Sequence, residues 1–157
     1  MKRKGFTLIE LLIVIAIIGI VAAIAIPNLL TALQKSKLKA TMGDMKNIGT
    51  AIESYITDNS MAPGGGSISF IADLSGDLAP FYIKQLPTSD AWNGLLRYQS
   101  GTIGDEQSFY SIVSYGRDKI DSGTDISNTD YIITSLAGFN NDICFSDGFF
   151  TYAPRIR

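Results

Sequence analysis

Between Phe6 and Ile26 the chain runs for 21 residues with only two polar side chains, Thr7 and Glu10. A helix needs about 20 such residues to cross ~30 Å of hydrocarbon. Lys2, Arg3 and Lys4 stand immediately before the run. A basic flank stays cytoplasmic, which sends everything after the run outward. A cleaved secretory signal is the first competitor, but its apolar core spans ~7–15 residues and closes on a small-residue cut site. This run is longer and continues through Pro27 into a different pattern.

From Leu38 the apolar positions are Met42, Met45, Ile48, Ile52 and Tyr55. Steps of three and four place them on one helix face. Lys35, Lys37, Lys39, Asp44, Lys46 and Glu53 fall mostly elsewhere. The pattern predicts one helix from about Phe6 to Thr57, with a membrane-spanning half over 6–27 and an amphipathic half over 28–58. At 1.5 Å per residue it would be ~75–80 Å long. A body of ~100 residues has a radius of gyration of only ~13 Å, so lipid or other copies of the chain must cover the first half. Pro27 is expected to kink or open the helix, because its ring clashes and it lacks an N–H. Gly19, Ala22, Ala23 and Ala25 offer a small-residue face for close helix approach. Gly43 and Gly49 each weaken the helix by roughly 1 kcal/mol relative to Ala.

Glu10 is the costly residue. A carboxylate in hydrocarbon is penalised by at least ~2.5 kcal/mol on insertion scales, so such acids usually have a partner or a function. Either Glu10 lies near enough to the interface to stay hydrated, or it meets a cation. No cation follows it within the apolar run. A cut after Gly5 would create one, the free ammonium of Phe6, in the same chain or a neighbour. Two charges ~4 Å apart at an effective dielectric of ~20 attract by ~4 kcal/mol before desolvation.

The stretch Lys4-Gly5-Phe6-Thr7-Leu8-Ile9-Glu10 and the apolar run behind it resemble the class III signal of type IV pilins and pseudopilins. The resemblance implies an α+β pilin-like fold: one long N-terminal helix, spanning the membrane in its first half, packed on a small antiparallel sheet. It implies that residues 1–5 are a leader, that a prepilin peptidase cuts between Gly5 and Phe6, and that the Phe6 amine is then methylated. Glu10 would attract the Phe6 ammonium of an adjacent subunit and set register, and Pro27 matches a proline of the family helix. The implied partners are further copies in a helical filament, minor pilin-like subunits, an inner-membrane assembly platform, and the lipid bilayer before assembly. The implied location is the bacterial inner membrane, single-pass with a cytoplasmic N-terminus, then a periplasmic or surface filament.

Residues 59–157 should form a connector and a sheet-bearing head. Spacings over Ser69–Lys84 suggest one or two short helices, and Asp90-Ala91-Trp92-Asn93-Gly94 a turn. Strands are expected at Leu95–Gln99, Phe109–Ser114, Tyr131–Thr134, Ile143–Phe145 and Phe149–Tyr152, the last two joined by a hairpin turn at Ser146-Asp147-Gly148. Leu86-Pro87, Asp90–Tyr98 and Ser114-Tyr115-Gly116-Arg117-Asp118 resemble segments of the major pseudopilins of type II secretion, although Ala91 stands where those have Pro. This favours a secretion pseudopilin over a type IV pilus subunit for attachment, motility or DNA uptake. Asp118, Asp121, Asp125 and Asp130 lie within 13 residues. Oxygen-rich loops suit Ca²⁺, but the spacing is not that of an EF-hand, and a solvated acidic turn explains it equally simply. The pseudopilin resemblance implies calcium on Asp118, Asp121 and Asp125.

Other classes find little support. The chain has no histidine and one cysteine, Cys144, so the commonest general base is missing and no intrachain disulfide can form. No nucleophile elbow or phosphate loop is present, so no enzyme is expected. Without Lys2, Arg3 and Lys4 the 13 cations fall to ten against 15 anions, and an acidic body gives no reason to expect nucleic-acid binding. A monomeric tethered binding protein would have no use for Glu10.

Overall fold

The computed structural model describes residues 5–64, 68–103, 107–123 and 129–155. A single helix, α1, covers Leu8–Asn59. The chain resolves into two compact units, one through Lys35 and one from Ser36 onward.

In the first unit no described residue is buried. Leu8, Ile20, Ile24 and Leu29 each expose about two thirds or more of their surface. This part of α1 is long and apolar enough to cross a membrane. α1 is continuous through Pro27, although that residue has no N–H to donate to the Ala23 carbonyl one turn back. Side chains supply donors around the break. Asn28 Nδ2 donates to the Ile24 carbonyl at 3.2 Å, and Thr31 Oγ1 to that of Pro27 at 3.0 Å. Such side-chain bonds re-satisfy backbone groups near a helix proline.

In the second unit α1 buries Leu38, Met45, Ile48 and Ile52, the stripe predicted from their spacing. They share a core with Ile71, Leu74, Leu78, Leu96, Tyr98, Ile112, Ile143 and Phe145. The sheet comprises β1 (Ile68–Phe70), β2 (Arg97–Ile103), β3 (Gln107–Ser114), β4 (Thr129–Tyr131), β5 (Ile143–Ser146) and β6 (Phe149–Pro154), in the order β1-β2-β3-β5-β6-β4. Five strands pair antiparallel, as expected. β4 departs from this, because it pairs parallel with β6, Asp130 opposite Ala153. The chain reverses once between β4 and β5 and again in the β5–β6 hairpin, and two reversals restore the direction.

β1 falls where a helix was expected to begin. The helical part is shorter, a 3₁₀ turn Ile71–Leu74 continuing into α2, Ser75–Leu78. Their apolar positions have helical spacing that masks the strand residues just before them. A cis Ala79–Pro80 peptide follows α2.

The segment Asp90–Gly94 is more than a turn. Asp90 is 4 % exposed. Its Oδ1 accepts from the Trp92 and Gly94 amides at 2.9 and 2.7 Å, and its Oδ2 from Ser114 Oγ at 2.7 Å. The Ala91 amide donates to Thr41 Oγ1 on α1 at 3.1 Å. One buried carboxylate thus organises the loop, while its neighbour fastens the loop to the helix. Charge-assisted bonds of this kind compensate the desolvation of a buried anion. Replacing Asp90 with Ala strands three donors and should cost about 3 kcal/mol, read as a fall in melting temperature of the full chain in micelles.

The two helix glycines have different reasons to be there. A Cβ on Gly49 would overlap the Phe145 ring, whereas one on Gly43 meets nothing within 4 Å. Gly49 therefore admits the ring against the helix backbone. Gly43→Ala should raise stability by roughly 0.5–1 kcal/mol through helix propensity. Gly49→Ala should lower it by about 1–2 kcal/mol, since overpacking outweighs propensity. Paired denaturation curves check both, and equal signs would contradict this packing.

Candidate assembly and processing site

α1 begins at Leu8, two residues later than its apolar pattern suggests, and the reason is local. The Thr7 amide donates to Glu10 Oε2 at 2.9 Å, and Thr7 Oγ1 donates to the same oxygen at 2.6 Å. In return the Glu10 amide donates to Thr7 Oγ1 at 3.3 Å. This is a capping box, in which N-cap and N3 residues satisfy each other's orphan amides. Its sequence signal, Thr7-Leu8-Ile9-Glu10, is a threonine followed three residues later by an acid, so Glu10 has a partner within its own chain as well as a need for a cation. Glu10 also sits at the positive end of the helix dipole, where an anion is favoured.

The geometry brings Gly5, Phe6, Thr7 and Glu10 together at one exposed tip. Phe6 is 77 % exposed. Its nitrogen is bonded to Gly5 and carries no charge until that bond is cut. Before cutting, Glu10 is held by Thr7. A cut at that bond would place a primary ammonium four residues away, able to compete for the same carboxylate. Pro27 lies 17 positions further along α1, away from this tip.

The acidic loop is less concentrated than its sequence suggests. Asp118 Oδ1 accepts from the Ile120 amide at 3.1 Å, and Asp121 Oδ1 from the Gly123 amide at 2.8 Å. Both are turn-stabilising bonds. Asp125 lies outside the described residues. Asp142, which spacing did not single out, is wholly buried and accepts from the Ser122 amide and hydroxyl at 3.1 and 3.2 Å. Tyr115 borders the same loop, its hydroxyl pKa raised mainly by burial and then by the nearby Asp121 carboxylate. Among the described residues no three acidic or cysteine side chains converge as metal ligands. Cys144 is buried.

A capped, uncovered apolar helix feeding a helix-on-sheet body defines a pilin-like protein. Comparison with known families narrows this. Residues 1–26 match the prokaryotic N-terminal methylation motif, and residues 28–133 match the family of type II secretion system protein G. The chain belongs to the type II secretion system protein G family. It is 31 % identical over 133 residues to the type II secretion system core protein G of Pseudomonas aeruginosa, covering 79 % of this chain and 90 % of that one. Against the protein of the same name from Escherichia coli it is 30 % identical over 136 residues, 81 % and 91 % of the two chains. The type IV major fimbrial protein FimA of Dichelobacter nodosus is 48 % identical, but over 60 residues and 38 % of each chain. No solved structure matches the chain significantly.

The cap generates a prediction. Thr7→Ala in the uncut chain should cost the first turn about 1 kcal/mol. Amide exchange at Glu10 and Leu11, whose N–H groups bond to Thr7, should then quicken about fivefold in micelles, with exchange in the second unit unchanged.

Proposed function

We propose that this chain is the major pseudopilin of a type II secretion system, a structural subunit that polymerises into a periplasmic helical filament. The observation that carries the proposal is the pairing of an uncovered apolar helix with a body that matches the protein G family over residues 28–133. A prepilin peptidase cuts between Gly5 and Phe6 and the Phe6 amine is methylated. The helix waits in the inner membrane with its N-terminus cytoplasmic. An assembly platform then lifts subunits into the filament, where minor pilin-like subunits join them. Each apolar helix exchanges lipid for sister helices.

Glu10 gives this exchange its direction. In the membrane its charge is expensive. The Thr7 cap offsets part of that cost, and the Phe6 ammonium of a neighbour offsets more. An incoming subunit is therefore drawn to the register in which carboxylate and ammonium meet. Fimbrial resemblance over 60 residues supports the same assembly chemistry without favouring a surface pilus, because it covers only the segment that both kinds of filament share.

Glu10→Leu should insert, be cut after Gly5 and fold normally. Its yield of sedimentable filament should fall at least about tenfold, since losing even ~1.4 kcal/mol per contact has that effect. Filament at the parent level would contradict the pairing role. A deletion that leaves protein export intact while removing surface filaments would favour the pilus reading instead.

We propose further that calcium occupies the loop through Asp118, Asp121 and Asp125. Support comes from the acidic spacing; Asp118 and Asp121 each close an exposed turn of their own, with a second carboxylate oxygen not used in those bonds. The ion would add oxygen coordination that ties these two turns to the remainder of the loop. Calcium at a hundredfold excess over its Kd should raise stability by ~2.7 kcal/mol. A melting temperature identical in calcium and in a chelator would remove the ion from the account.

A further inference from the structure

The far end of α1 breaks a local rule. Cations stabilise a helix C-terminus and anions oppose it, yet the last turn of α1 contains no basic residue and holds Asp58. Beside Asp58 lies an open groove of about 460 Å³ lined by Ser54, Thr57, Asp58, Phe81 and Tyr82. Phe81 is 82 % exposed, so its own fold gains little from it. Its ring meets Tyr82 edge-on at 4.9 Å, and Tyr82 meets Tyr55 at 5.4 Å. The Tyr82 hydroxyl donates to Asp58 Oδ2 at 3.1 Å and accepts from Asn59 Nδ2 at 3.3 Å. Aromatic rings, a carboxylate and the negative end of a helix dipole therefore share one groove. Together they suit a cation on an aliphatic stem, which packs against the rings while its charge meets the acid.

The same helix carries such cations elsewhere. Lys39 and Lys46 are exposed. They lie seven residues apart, hence within about 20° around the axis. Asp58 lies about 100–120° further around, and all three avoid the stripe of Leu38, Met45, Ile48 and Ile52. The body of the protein thus has a basic flank and an acidic, aromatic flank on one rod. Among the described residues neither lysine nor Asp58 has an ionic partner. Local rules broken without compensation inside a chain point to compensation outside it.

We propose that the Lys39–Lys46 flank of a second copy fills the Asp58–Phe81–Tyr82 groove. The inference rests on the filament reading. It adds a second contact, in the exposed body, to the one at Glu10. Two different surfaces meeting head to tail do not close into a dimer but propagate. Parallel rods that meet this way are offset by about 18 Å if Lys46 makes the contact and about 28 Å if Lys39 does.

Zero-length carbodiimide coupling of sheared filaments tests this. It joins a carboxylate to an amine only when they touch. Within one chain Asp58 and Lys46 are ~18 Å apart along the helix, so an amide between them reports a neighbour. Peptide mapping should find Asp58 joined to Lys46 or Lys39. Asp58→Lys should reduce filament yield about fivefold or more while the melting temperature in micelles holds. Adding Lys39→Asp and Lys46→Asp to the same chain should restore the yield. Parent filaments without either cross-link, with Asp58→Lys polymerising at the parent level, would overturn the proposal. A parent chain that forms no filament would instead overturn the filament reading itself.

Discussion

An apolar helix with no cover of its own has to find cover, and that requirement organises the protein. Each buried leucine or isoleucine side chain gains about 1.5–3 kcal/mol over an exposed one. The stretch from Leu8 to Leu33 holds more than a dozen such side chains in the open. Lipid supplies cover first. Sister helices can replace it without loss, because hydrocarbon tails are as apolar as leucine. On the proposed function, what then decides assembly is the polar remainder: Glu10, its Thr7 cap, and the ammonium that a cut after Gly5 would release. On that proposal a residue that is a liability in the membrane would become the source of register in the filament.

The body solves a different problem, that of gripping the second half of the same helix. Gly49 lets the Phe145 ring approach the helix backbone. Tyr110 hydroxyl donates to Glu53 on α1 at 2.8 Å, and Ala91 reaches Thr41. These contacts fix one face of α1 and leave its two flanks to solvent. A subunit that must touch several neighbours needs such free flanks, and a sheet that wrapped the helix further would block them.

Much of this was legible in the residues. The spacing of Leu38, Met45, Ile48 and Ile52 marked the buried face, and the leader with Phe6 and Glu10 marked the family. Most strands were found because alternating apolar residues stood between glycine- and aspartate-rich turns. Three features were not legible, each for a physical reason. The parallel pairing of β4 depends on the path between Tyr131 and Ile143, which local pattern does not encode. β1 is three residues long, too short for alternation to outweigh the helical spacing that follows it. The roles of Asp90 and Asp142 depend on donors far away in sequence, such as Ser114 and Ser122, so neither looks different from an ordinary turn acid. The cap at Thr7 is legible in Thr7-Leu8-Ile9-Glu10, where the charge of Glu10 masks its position three residues into a helix.

The account turns on what surrounds the apolar helix before and after assembly, and a nitroxide placed at Val14 reports that directly. In membranes it should be reached by oxygen and hidden from water-soluble relaxation agents. In sheared filaments both should be excluded, and neighbouring spins should broaden the spectrum. A label that stays open to water-soluble agents in the filament, or that shows no spin–spin broadening there, would mean that sister helices do not take the place of lipid.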